Sequence, residues 1–530
     1  MTIKRLILAF LTILALARVV FSLGDSLSQP QIQSRLELYQ SNLVLHVSEF
    51  KAELLDESIP PNANLTKTID SLIGESPYSA AEKQYQKAKE EAEVSLKNFQ
   101  EQLAKLLVQE TQPNPEDSSV TLKNQTVASL DLRKQQLQQN SAKIESFIDE
   151  LALKIGILKA VQNEQKQALS IWDNLIARKD NENSPYSETA KVLRNLWDQY
   201  THVLPNAETF ITSNLDSWFR YKALEKLYQI EDFQEELAQL QQQEQQQASQ
   251  AIFKLALISG IPVLGGLGGI ILLIFLLIQL GLKQEKSILA TNSKIGWETP
   301  WNWEITWQVL IVGFFFIGQF VLPILLGLSG ISPANGSLRF KALYVFVSYV
   351  LMALSGIGVL YLSIKSFLPL SKDWFKFKLF SNWFVWGFGG YLIALPSVLL
   401  VSLINQQIWH GQGGSNPLLF LALQAQDRVA LAIFFITASI AAPLFEEVMF
   451  RGFLLPSLTR YVPVWGAIII SGFIFAVAHL SLSEVLPLAT LGIILGIVYT
   501  RSRNLLAPIF LHSLWNSGTL LSLFVLGSGI

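Results

Sequence analysis

Residues 255–281 read LALISGIPVLGGLGGIILLIFLLIQLG, 27 residues without one charged side chain. At 1.5 Å per residue such a helix exceeds the ~30 Å of a bilayer's hydrocarbon core. Gly260, Gly265, Gly266, Gly268 and Gly269 thin its surface, which lets a neighbouring helix pack closely. Composition changes at this stretch. Residues 251–530 hold 23 Asp, Glu, Lys and Arg (15 basic, 8 acidic), whereas residues 1–250 hold the other 59 (25 basic, 34 acidic). The C-terminal half therefore reads as a membrane domain and most of the N-terminal half as a polar, soluble one. The net charge of −2 conceals an acidic segment, 24–250 (net −12), ahead of a basic one, 251–530 (net +7). An acidic extramembrane domain argues against nucleic acid as its partner. The chain has no cysteine, which excludes disulfides, thiolate metal sites and cysteine nucleophiles.

Downstream, seven further apolar stretches follow at about 306–329, 341–364, 382–404, 429–450, 464–482, 485–500 and 505–527. Trp301, Trp303, Trp307, Trp374, Trp383 and Trp386 flank them as interfacial anchors would. Loops on alternate sides differ in charge. One side carries Lys283, Lys286, Lys294, Lys365, Lys372, Lys376, Lys378, Arg451, Arg460, Arg501 and Arg503; the other carries Arg339, Lys341 and Arg428. The positive-inside rule makes the first side cytoplasmic and leaves the soluble domain and the C-terminus outside. The N-terminus points the same way. Lys4 and Arg5 precede an apolar run, Leu6 to Leu23, broken only by Arg18, so residues 1–23 read as a secretory signal, with a mediocre cleavage site at Ser22-Leu23-Gly24, or as a signal anchor.

Between these membrane segments, residues 24–250 form a soluble helical domain. Helical periodicity is strong in Glu82–Glu110, Leu132–Lys179 and Glu188–Ala251. Breaks fall at Pro60-Pro61, Gln112–Ser119, Asn181–Pro185 and Pro205-Asn206. Ile155–Ile176 and Trp218–Leu240 resemble tetratricopeptide units without a clean period. Gln239–Gln247 reads as a solvated helix leading into the membrane. His46 and His202 stand alone there, and no chemical site is evident, so a protein partner or a spacing role is expected of this domain. The fold class is all-α: a polytopic bundle of about eight transmembrane helices preceded by an extramembrane helical, tetratricopeptide-like domain.

Charged groups inside a bilayer are costly, at about 2.5–3.5 kcal/mol each on insertion scales. The last hundred residues nevertheless contain Glu446, Glu447 and Arg451 in AAPLFEEVMFRGFLLP, His479 in FAVAHL and His512 in LHSLWNS. Glu447 and Arg451, at i and i+4, share a helix face, and Glu446 lies about 100° around, free to face another cavity. His512 and Asn516 repeat the i,i+4 spacing, as do Phe475 and His479. A carboxylate and an imidazole converging on a water can remove its proton. A second imidazole and an amide can donate hydrogen bonds to an oxyanion. These parts suit hydrolysis of a peptide bond.

At these residues the chain resembles the CPBP-family intramembrane proteases, the group containing type II CAAX prenyl endopeptidases and bacterial Abi (bacteriocin-processing or immunity) proteins. The family pattern EExxxR, FxxxH, HxxxN stands here as Glu446-Glu447-Val448-Met449-Phe450-Arg451, Phe475-Ala476-Val477-Ala478-His479 and His512-Ser513-Leu514-Trp515-Asn516. The match covers roughly 428–525. The resemblance implies a glutamate-dependent endopeptidase acting on a membrane-associated polypeptide. Glu446 would be the general base acting with His479 on water, His512 and Asn516 would stabilise the oxyanion, and Glu447 and Arg451 would support the site. Glu446, His479 and His512 could instead ligate zinc, although they come from separate helices without an HExxH arrangement; a mechanism needing no metal is the reading taken. The alternatives are a non-catalytic scaffold or immunity-type protein of the same fold, and a proton-coupled transporter, for which no internal repeat is visible. On the spans above, His479 falls nearer the outer end of its helix than Glu446 and His512 do, so convergence requires that helix to begin deeper or tilt.

Overall fold

The computed structural model describes residues 2–27, 32–51, 73–111, 120–178, 184–198, 203–331, 336–409, 412–415, 419, 421 and 427–527. The regular elements among them are helices. In chain order they are α1 (Ile3–Ser26), α2 (Ile32–Ser48), α3 (Pro77–Thr111), α4 (Val120–Val161), α5 (Gln165–Ile176), α6 (Pro185–Trp197), α7 (Ala207–Asn214), α8 (Ser217–Glu231) and α9 (Gln234–Lys283). There follow α10 (Trp303–Leu328), α11 (Leu338–Ile364), α12 (Trp383–Trp409), α13 (Arg428–Leu458), α14 (Val464–Val477), α15 (Val485–Ser502) and α16 (Leu506–Gly527). Contacts divide the described residues into two compact units, one from 32–257 and one from 2–27 with 258–527.

The 32–257 unit is a set of helical hairpins around a core of Tyr85, Trp172, Leu193, Trp218 and Phe219. Each turn has a local cause. Asn163 (φ +64) makes the turn of the hairpin between α4 and α5, inside the stretch of strong helical periodicity at 132–179. Asn206 (φ +62) starts α7 at the expected Pro205-Asn206 break. Pro185 opens α6 at its first position, where a missing N–H costs nothing, and the Ser184 hydroxyl accepts the Tyr186 N–H. Ser217 and Asp232, both at positive φ, divide the expected 188–251 helix further. Helices of 35, 42, 12, 13, 8 and 15 residues in succession exclude a regular repeat, so the unit resembles a tetratricopeptide array only in its hairpins. The breaks read at Pro60-Pro61 and Gln112–Ser119, and His202, lie outside the described residues. His46 is not the isolated residue expected from sequence: Nδ1 lies 2.6 Å from Glu244 Oε1 and Nε2 lies 2.9 Å from Ser217 Oγ.

Among the described residues, eight helices are long and apolar enough to cross a membrane, but membership differs from the expected eight. The N-terminal helix is one of them. The helix expected over 464–482 is α14, of only 14 residues, because the chain turns at Ala478–Leu480, with Leu480 at φ +58. Helix α1 packs along the unit that contains 258–527. Arg5 Nε donates to Glu304 Oε2 at 3.1 Å, Thr12 Oγ1 accepts from Trp307 Nε1 at 2.9 Å, and Ser26 Oγ accepts the Leu482 N–H at 3.2 Å. The basic loops meet at one end of the bundle: Arg501 Nε donates to the Leu289 carbonyl at 2.5 Å, Arg503 to that of Ile295, Asn504 Nδ2 to that of Lys378 at 2.7 Å, and Arg460 to that of Trp301. At the opposite end Asn405 Nδ2 donates to the Ser483 carbonyl at 2.6 Å, and Ser483 Oγ to that of Gly414 at 2.5 Å.

Trp301 and Trp374 are not interfacial anchors. They are 1% and 6% exposed, with ring centroids 4.4 Å apart, because the loops that carry them fold over the end of the bundle. Both indoles reach a polar partner there: Trp301 Nε1 donates to Ser457 Oγ and Trp374 Nε1 to the Glu298 carbonyl, each at 2.9 Å.

Candidate active site

Helix α13 begins under a cap. Asp427 Oδ1 accepts the N–H groups of Val429 and Ala430 at 2.9 and 3.1 Å. It then departs twice from α geometry, with wide π turns at Thr437–Ala441 and Val448–Leu454 bracketing Glu446 and Glu447. The first has a sequence cause and a structural consequence. In the π register the Ala442 N–H bonds the Thr437 carbonyl. The next carbonyl, Ala438, would take its donor from residue 443, which is proline and has none. Asn516 Nδ2 on α16 supplies it at 2.7 Å.

Glu447 and Arg451 pair as their spacing predicts. Arg451 Nη1 donates to Glu447 Oε1 at 2.9 Å, and both side chains are 0% exposed. Arg451 Nη2 donates to the Gly492 carbonyl at 3.0 Å, and its guanidinium carbon lies 4.4 Å from the centroid of the Phe475 ring. That carbonyl is within reach because α14 and α15 cross at paired glycines: a Cβ built on Gly492 would sit 2.8 Å from Gly472 Cα. Glu447 Oε1 also receives His512 Nδ1 at 2.9 Å. A carboxylate only accepts, so Nδ1 carries the proton and Nε2 is left to face Glu446 Oε2, 4.0 Å away.

Glu446 is not free. Its Oε1 accepts the Tyr349 hydroxyl on α11 at 2.9 Å. Its Oε2 is buried and has no hydrogen-bond partner among the described residues, and neither has Glu447 Oε2. Tyr349 is the residue that sequence reading missed. The span carries three phenols, Tyr344, Tyr349 and Tyr361, and nothing in the sequence relates one of them to a glutamate 97 residues away.

His479 is placed differently from the others. Its Nδ1 donates to the Phe475 carbonyl at 2.9 Å, leaving Nε2 as its free nitrogen. The Phe475 ring lies against both imidazoles, 4.9 Å from His479 and 5.7 Å from His512. The structure thus joins Glu446, Glu447, Arg451, His512 and Tyr349 directly, and ties Asn516 to the π turn of the same helix. No hydrogen bond joins His479 to Glu446 or His512 among the described residues. Glu446, His479 and His512 do not form a three-ligand cluster suited to a metal ion, among the described residues.

A carboxylate oxygen without a hydrogen-bond partner, facing an oriented imidazole inside a helical bundle, can in principle hold and deprotonate a water. Residues 428–518 match the Rce1-like family of type II CAAX prenyl endopeptidases. The Rce1-like segment therefore contains every residue of the cluster except Tyr349. Over 133 residues the chain is 29% identical to the provisionally named membrane peptidase YdiL of Bacillus subtilis (strain 168), covering 25% of this chain and 53% of that protein. Over 218 residues it is 27% identical to the membrane-embedded CAAX protease MroQ of Staphylococcus aureus (strain USA300), covering 40% of this chain and 86% of that protein. The chain thus spans about half the length of the first relative. No solved structure matches significantly.

Proposed function

We propose that the membrane unit is a glutamate-dependent endopeptidase that hydrolyses a peptide bond of a membrane-associated polypeptide. One observation carries the reading: in the Rce1-like segment, the partnerless Glu446 Oε2 lies 4.0 Å from His512 Nε2, a separation that a single water within hydrogen-bond distance of both can span.

In this reading Glu446 takes a proton from that water as its oxygen attacks the scissile carbonyl. It then returns the proton to the departing amine. Tyr349, by holding Oε1, turns Oε2 to the water. His512, with Nδ1–H given to Glu447, serves the oxyanion as an Nε2–H donor once protonated during turnover, and the Glu447 carboxylate supports that charge. Asn516 spends one amide proton on Ala438 and keeps the other for the oxyanion. His479, whose Nε2 is free, is the second hold on the water. The route uses protein groups alone, with no resident metal. The basic loops gathered at one end of the bundle support a cytoplasmic placement of that end, which would put the 32–257 unit outside. That unit would recruit the substrate or a protein partner.

The test compares membrane proteins from cells carrying the native chain and cells carrying Glu446→Gln, a nearly isosteric change that removes the base. Protein termini produced only by the native chain are expected and would name the substrates. Identical sets of termini, with equal rescue of any phenotype, would transfer the reading to a non-catalytic scaffold.

A further inference from the structure

We propose that the 32–257 unit carries a second hydrolytic centre, a Ser217–His46–Glu244 relay that cleaves small carboxylic esters. Its parts come from three helices: His46 near the end of α2, Ser217 at the first position of α8, and Glu244 on α9. Glu244 Oε1 lies 2.6 Å from His46 Nδ1, and His46 Nε2 lies 2.9 Å from Ser217 Oγ. Burial is graded along the relay. Glu244 and His46 are 3% and 2% exposed, whereas Ser217 is half-buried. A buried acid, an imidazole held in one orientation and a partly open hydroxyl make the order that activates a serine.

Two further features suit a nucleophile. Ser217 sits at φ +52, in the left-handed region that costs a non-glycine residue about 1–2 kcal/mol. The sharp turn this makes puts its hydroxyl at the head of the 15-residue helix α8. There the first N–H groups have no partner within the helix. Asp216, the residue placed to cap them, makes no side-chain cap; its Oδ1 lies 2.7 Å from Lys154 Nζ instead. The N–H groups of Trp218 and Phe219 are thus the donors offered to an oxyanion. The nearby Glu49 carboxylate is taken up by Lys222 at 2.9 Å and Trp218 Nε1 at 3.0 Å, so it does not compete for His46. Ser217 is the one member of the relay that is not fully buried, so it is the point at which a small ester can approach.

In the reaction Ser217 Oγ attacks the ester carbonyl while His46 Nε2 takes its proton. The carbon–oxygen bond to the alcohol then breaks, and the alkoxide leaves with that proton. A water repeats the sequence on the acyl-serine and releases the acid. A purely structural pair differs in the direction of one bond: a permanently protonated His46 would donate to Ser217 rather than accept from it.

The full chain in detergent micelles, carrying Glu446→Gln so that the membrane site is silent, is treated with a fluorophosphonate and with p-nitrophenyl acetate. A single adduct on Ser217, with ester hydrolysis, both lost in Ser217→Ala, is expected. No adduct on protein with unchanged circular dichroism overturns the proposal. The absence of cysteine permits a second measurement, because Ser217→Cys introduces the sole thiol. An ordinary thiol, with a pKa of about 8.5, loses roughly 80-fold in alkylation rate between pH 8 and pH 6. A thiol facing a neutral His46 ionises with it and is expected to lose less than about threefold. The ordinary profile would show that His46 is no base and would overturn the proposal.

Discussion

Replacing Arg451 by methionine removes the positive member of the Glu447–Arg451–His512 cluster while keeping most of its volume. Arg451 makes two hydrogen bonds, at 2.9 and 3.0 Å, from a side chain that is 0% exposed, and its partner Glu447 is equally buried. Breaking one half of such a pair strands the other charge, at a cost of about 3–5 kcal/mol. That is a factor of about 150 to 5,000 in the unfolding equilibrium. Removing both charges together, in Glu447→Gln/Arg451→Met, eliminates the stranded charge. Fully replaced buried pairs are often neutral in stability, so most of the loss should return. Activity should not return with it, because His512 Nδ1 then faces a neutral amide and its Nε2 is no longer supported as a cationic donor. The assay is unfolding in mixed micelles by rising dodecyl sulfate, followed by tryptophan fluorescence, alongside cleavage of a substrate named by the terminus comparison. Stability of Arg451→Met within about 1 kcal/mol of the native protein, or a double variant no more stable than the single one, would refute the reasoning. A fully active double variant would refute the supporting role of Glu447.

Tyr349→Phe removes a hydrogen bond to a buried carboxylate, worth about 1.5–3 kcal/mol, so the unfolding midpoint should fall, and kcat should fall at least about 10-fold with KM unchanged even where the variant is fully folded. A folded variant with native kcat would make Tyr349 a packing residue only. Gly492→Ala would place a Cβ 2.8 Å from Gly472 Cα, against backbone that cannot rotate away. It should separate α14 from α15, withdraw the carbonyl from Arg451 and destabilise the unit by about 1–3 kcal/mol; a midpoint equal to the native one would contradict that packing. Dialysis against phenanthroline should leave cleavage intact, whereas a loss restored by zinc would overturn the metal-free route.

How far this molecule could be read from its sequence depends on how local each determinant is. The crossing helices were legible because a bilayer demands long apolar runs, yet that criterion could not distinguish α1 as a secretory signal from α1 as a packed helix. The evidence for packing lies in Glu304 and Trp307, nearly 300 residues away. The length of α14 was misjudged because a left-handed leucine at 480 carries no sequence signal. Glu447 and Arg451 pair one helical turn apart, so their contact could be forecast from spacing alone. The contacts of Glu447 with His512, Glu446 with Tyr349 and His46 with Ser217 and Glu244 depend on tertiary packing, for which a single chain offers no periodicity. Proline 443 is the intermediate case. A proline inside a membrane helix leaves a carbonyl without its donor, and hydrocarbon cannot supply one. In α geometry the orphan would be the Ser439 carbonyl; the π turn moves it to Ala438, where Asn516 supplies the donor, so the sequence marks the need for a donor but the tertiary packing chooses both the carbonyl and its partner.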